Sequence, residues 1–133
     1  MHTRPTSVTL VAWYAILAAA FNLFWLHLAR DAPMLDETLA HTRLPIAGQY
    51  LLHYIGAAVG MAAGWAMLHG VDPARLVFIG WQALAWLIAL IAAPDAGPVL
   101  RDACMLGAMC YGLFAPPANA YFMRAEAVAG ADL

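Results

Sequence analysis

The sequence predicts an all-α polytopic membrane protein, with four transmembrane helices in an up-down-up-down bundle. Three observations lead there. Of 133 residues, 65% are apolar and only 11% charged, whereas an average soluble domain carries about 25% charge. The charged residues avoid four stretches, 5–29, 44–71, 76–94 and 103–123. Each stretch has about the length a span needs, since a hydrocarbon core about 30 Å thick takes about 20 helical residues.

The first span is expected over about 8–29, with Thr6 and Ser7 behind Pro5 as N-cap candidates. His2 and Arg4 before an apolar run imitate a secretory signal. The run continues through 21–28, beyond a usual signal core, so it reads as a membrane span. A loop of about fifteen residues follows, carrying Arg30, Asp31, Asp36, Glu37, His41 and Arg43. The second span is expected over about 46–68, because Pro45 suits a helix start. Gly70, Val71, Asp72 and Pro73 make a short turn, so spans two and three should form an antiparallel hairpin. Span three is expected over about 74–93 and stops at Pro94. Span four, about 99–123, opens with Arg101 and Asp102 and contains Pro116-Pro117, which should bend it. The four spans form a single domain over 1–133 and leave about a third of the chain for loops.

Several classes of function are excluded. With a net charge of -2 and no lysine, the chain has no basic cluster to neutralise a phosphate backbone, so no nucleic-acid partner is expected. No span holds a central Asp, Glu, Lys or Arg of the kind that proton-coupled exchangers use. There is no Cys-x-x-Cys, no His-Glu-x-x-His and no Gly-x-Ser-x-Gly. Cys104 and Cys110 lie roughly opposite each other on one helix and read as small buried hydrophobes. No catalytic residue is assigned, and the reading leans away from an enzyme.

The clearest pattern is Gly56-x-x-x-Gly60-x-x-x-Gly64 in span two, a stripe into which another backbone can approach closely. It predicts either packing within one bundle or contact with a second copy or a larger membrane protein. Polar residues return within the spans only toward the first loop. There His27, Gln49, His53, Arg101 and Asp102 could line a ligand pocket, with Gln49 and His53 sharing a face four residues apart. Asn22 is not grouped with His27, because five residues place them about 140° apart on the helix. His27 and His53, on adjacent helices, could also serve as axial ligands of a haem, with Gly56 giving the porphyrin room. Trp25, Tyr50 and Tyr121 suit interface belts.

The segment Arg4-Pro5-Thr6-Ser7-Val8-Thr9-Leu10-Val11-Ala12-Trp13 resembles the opening of small uncharacterised four-helix bacterial inner-membrane proteins. Residues 74–81 are similar to the start of their third helix. The resemblance covers about twenty residues and implies an inner-membrane protein with cytoplasmic termini, but no activity. Arginines near the span ends divide evenly, with Arg4, Arg75 and Arg124 on the terminal side and Arg30, Arg43 and Arg101 on the other. The expected function is an accessory or interaction protein that associates through the glycine stripe. The alternative is a small-molecule, lipid or haem-binding redox module using His53, His27 and the polar pocket.

Overall fold

The structure, a computed structural model, describes residues 4–28, 44–92 and 97–131. The charged segment 29–43 lies outside these residues, as do residues 93–96. The described residues are all helical, with no strand. They form α1 (Thr6–Leu28), α2 (Ile46–Leu68), α3 (Pro73–Ala92), α4 (Gly97–Phe114) and α5 (Pro116–Ala131). Among them, α1, α2 and α3 are long and apolar enough to cross a membrane.

Helix α1 starts at Thr6, so Thr6 and Ser7 lie inside it instead of capping it. The first turn is tied to Pro5, whose carbonyl accepts from Thr9 N at 3.1 Å and Thr9 Oγ1 at 3.3 Å. Helix α2 ends as the short turn predicts. Gly70 takes φ 77°, a left-handed conformation that costs glycine little. Gly70 N donates to Met67 O and Val71 N to Ala66 O, at 3.1 Å each, closing a Schellman end.

The fourth predicted span is broken. Pro116 and Pro117 have no N–H, so the carbonyls of Gly112 and Leu113 lose their helical donors. Ala118 N turns back to Ala115 O at 2.9 Å, which frees Phe114 O as well. The helix divides at Ala115 into α4 and α5. Two of the freed carbonyls find side-chain donors: Arg75 Nη1 reaches Leu113 O at 3.2 Å, and Asn119 Nδ2 reaches Phe114 O at 2.9 Å. These bonds restore partners to backbone groups that the prolines leave unpaired.

Helix α1 packs most extensively on α2, α2 on α3 and α3 on α4, and α4 also returns to α1. The α1–α2 contact is made by the glycine stripe. A Cβ at Gly64 would lie 2.8 Å from Ala12 O, and one at Gly60 would lie 3.2 Å from Ala15 O. Both glycines are therefore filled from within by the α1 backbone. Gly56 serves another helix, since a Cβ there would lie 3.0 Å from Trp81 Nε1 of α3.

The buried core gathers at the end that holds the start of α1. Val8, Met67, Leu113 and Phe122 are fully buried there, joined by Ala12, Ala74, Phe78 and Met109. Large apolar side chains face outward instead, including Leu10, Leu17, Phe21 and Phe24 on α1 and Leu84, Leu87, Leu90 and Ile91 on α3. Exposed apolar surface on this scale is costly in water and suits a lipid environment.

Candidate functional site

Away from the core, toward the first-loop end, residues of α1, α2 and α3 line a partly open cavity of about 430 Å³. That volume falls within the range of about 300–1,000 Å³ typical of small-molecule sites. The space arises from side-chain size. Ala18, Ala19, Ala57, Ala85, Ala89 and Ala92 supply much of the wall, where larger residues would have met. Gly56 lets the Trp81 ring lie against α2, and both residues line the cavity.

Among the described residues, the polar lining consists of Tyr14, Asn22, Gln49, His53, Trp81 and Gln82, with no Asp, Glu, Lys or Arg. Asn22 Nδ2 lies 3.2 Å from His53 Nδ1. The two side chains share one hydrogen bond, whose donor is set by the histidine tautomer. Asn22 Oδ1 is buried and has no hydrogen-bond partner among the described residues. Gln49, only 6% exposed, donates from Nε2 to Leu44 O at 2.8 Å. That bond ties the first turn of α2 to the segment before it.

The structure unites some predicted residues and separates others. Gln49 and His53 share the cavity, as their spacing suggests. His27 lies outside it, beside Tyr50 and Tyr54 in a second pocket. Its Nδ1 bonds to Leu23 O at 2.8 Å, and Tyr54 Oη lies 3.4 Å from Nε2. The two histidines therefore line different spaces, and no single volume has both as facing axial ligands. Among the described residues, no group of three or more His, Cys, Asp or Glu could hold a metal ion. Arg101 and Asp102 are also apart from the main cavity. They pair with each other at 3.3 Å on an exposed face, and Asp102 borders a smaller pocket beside Trp86 and Met105.

Two groupings were not anticipated. Asn22 completes the polar pair with His53 because the antiparallel register of α1 and α2 brings positions 22 and 53 level. A second cluster lies at the opposite end. Arg75 Nη2 is 2.6 Å from Asp72 Oδ1, Arg75 Nη1 also donates to Asn119 Oδ1, and the guanidinium lies 4.9 Å from the centres of both the Phe114 and Phe122 rings. The Asp72-x-x-Arg75 spacing at a helix start was a legible signal for part of it. Asn119 and the two rings come from distant sequence.

In comparisons with known proteins, the chain matches no family profile, no curated protein and no solved structure.

Proposed function

We propose that this chain is an inner-membrane protein with four crossings, the last passing through the break at Ala115 into α5, and with cytoplasmic termini. Within that bundle it binds a small, neutral, lipophilic molecule. The observation that carries this reading is the cavity between α1, α2 and α3, walled by alanines and supplied with the Asn22–His53 pair. A mostly apolar pocket with a few convergent polar groups is the usual form of a small-molecule site.

The antiparallel contacts support the four-crossing topology. Gly64 meets Ala12 while Asn22 meets His53, and Gly112 meets Val11. The glycine stripe gives less support to association with another chain, because Gly60 and Gly64 already seat α1.

The test is thermal unfolding of the purified full chain with a panel of neutral lipophiles, for wild type and Ala18→Phe. Ala18 lines the cavity, and a phenyl group there takes up its volume. A binder raises the wild-type Tm by mass action and leaves the variant unchanged. The reading fails if no compound separates the two proteins.

A further inference from the structure

We propose that the bound molecule is a lipid with two hydrocarbon chains on one branch point, of the diacylglycerol kind, with one chain in each of two adjoining clefts; this deepens the binding reading above and rests on it. The main cavity has a neighbour. A second cleft of about 270 Å³ lies between α1, α3 and α4, with Trp86, Leu106 and Met109 in its wall. Tyr14, Gln82, Ala85 and Ala89 line both spaces. Positions 82, 85 and 89 follow one stripe of α3 at helical spacing, so that stripe is a ridge with a cleft on each side. At Ala85 and Ala89 the ridge is only a methyl group high, which lets one forked molecule lie on both sides of it.

The floors and the depth suit hydrocarbon tails. The innermost α3 residue of the main cleft is Phe78, and the innermost α4 residue of the second is Met109. Both belong to the packed core, 3% and 6% exposed, so both clefts stop on that core and run toward the first-loop end. From Gln82 to Ala92 the main cleft follows α3 for about 15 Å at about 1.5 Å per residue. That is the depth of one leaflet in a hydrocarbon core about 30 Å thick. Gln49 and His53 on the main cleft and Asp102 on the second lie toward the first-loop end, where the polar branch point of such a lipid would sit. Tyr14 and Gln82 lie deeper, on the shared wall. A single chain fills one cleft, whereas joining two chains makes the second insertion intramolecular and raises affinity without any new contact.

Chain-brominated glycerides provide the test, because bromine quenches tryptophan on contact and each cleft has its own reporter, Trp81 in the main cleft and Trp86 in the second. The full chain in detergent micelles is titrated with di(ω-bromooctanoyl)glycerol and with mono(ω-bromohexadecanoyl)glycerol, which carries the same acyl carbon on one chain. Quenching lost in Trp81→Phe or in Trp86→Phe reports each cleft and removes the contribution of probe dissolved in the micelle. The two-chain probe should quench both reporters at one midpoint, about tenfold or more below that of the one-chain probe. Ala18→Phe narrows the main cleft alone and Leu106→Phe the second alone. Each should abolish quenching of its own reporter and raise the two-chain midpoint at the other to the one-chain value. If Leu106→Phe does not fold, the paired response of Trp81 and Trp86 in the wild type decides. Equal midpoints for the two probes, or quenching of Trp81 without Trp86, with the Trp81 response lost in Ala18→Phe, would overturn the two-chain assignment and keep the binding site. A Trp81 response that Ala18→Phe leaves unchanged would overturn the binding reading itself.

Discussion

The two ends of the helical assembly solve the same packing problem differently. At the end holding the start of α1, Val8, Met67, Leu113 and Phe122 are fully buried. Arg75 there joins the α2–α3 turn to the α4–α5 break through Asp72, Asn119 and Leu113 O. Toward the other end the same helices present alanine to one another, and about 430 Å³ remains open. Interiors normally approach the density of organic crystals, and the first end is close-packed in that way while the second is a cleft open on one side. The polar groups reinforce the contrast. Arg75 engages five neighbouring residues, Asp72, Leu113, Phe114, Asn119 and Phe122, whereas the described polar contact of Asn22 is the one with His53. One end is densely packed, and the other leaves open space between the helices.

The largest effect expected from breaking this division is at the α1–α2 seam. Gly64→Leu would drive a side chain into Ala12 O and Ile16, where a Cβ alone lies within 2.8 Å of each. Overpacking against backbone should destabilise by on the order of 3 kcal/mol or more, read as loss of cooperative thermal unfolding in detergent. Arg75→Leu comes next. It strips Leu113 O and Asn119 Oδ1 of their donor and leaves Asp72 without its ion-pair partner. A loss of about 2–3 kcal/mol is expected, with amide exchange rising first around the α4–α5 break.

At the open end, Ala18→Phe should shift stability by less than about 1 kcal/mol, because it adds volume where space exists, yet it should eliminate ligand-induced Tm shifts. A large loss of stability would mean that the cavity is less yielding than the packed end and would erase the contrast. The smallest change belongs to neither region. Gly107 is exposed on α4, and a Cβ there meets nothing within 4 Å. Gly107→Ala should therefore stabilise by about 0.5–1 kcal/mol, measured by the same melts.

How much of this was legible depended on how local each feature is. The limits of α1, α2 and α3 fall within two residues of the expected spans, since apolarity and flanking prolines are read one segment at a time. Pro116-Pro117 announced a bend, but not the complete break. Whether the freed carbonyls are satisfied depends on Arg75, 38 residues from Leu113 in sequence. Gln49 and His53 could be grouped because four residues make one helical turn. His27, Arg101 and Asp102 were grouped with them by depth alone, and depth does not say which way a side chain faces.

The sequence by itself determined four apolar stretches, three of which are helices long and apolar enough to cross a membrane, the short turn after the second, and a stripe on α2 able to accept a backbone. Those properties belong to single segments, and the helical period reveals them. Tertiary structure alone decided what fills the stripe, which end is dense and which is open, and that Asn22 meets His53. Each of these depends on the register between helices joined by a loop of about fifteen residues. A connection of that length leaves register unconstrained. It is set by the approach of Ala12 and Ala15 to Gly64 and Gly60.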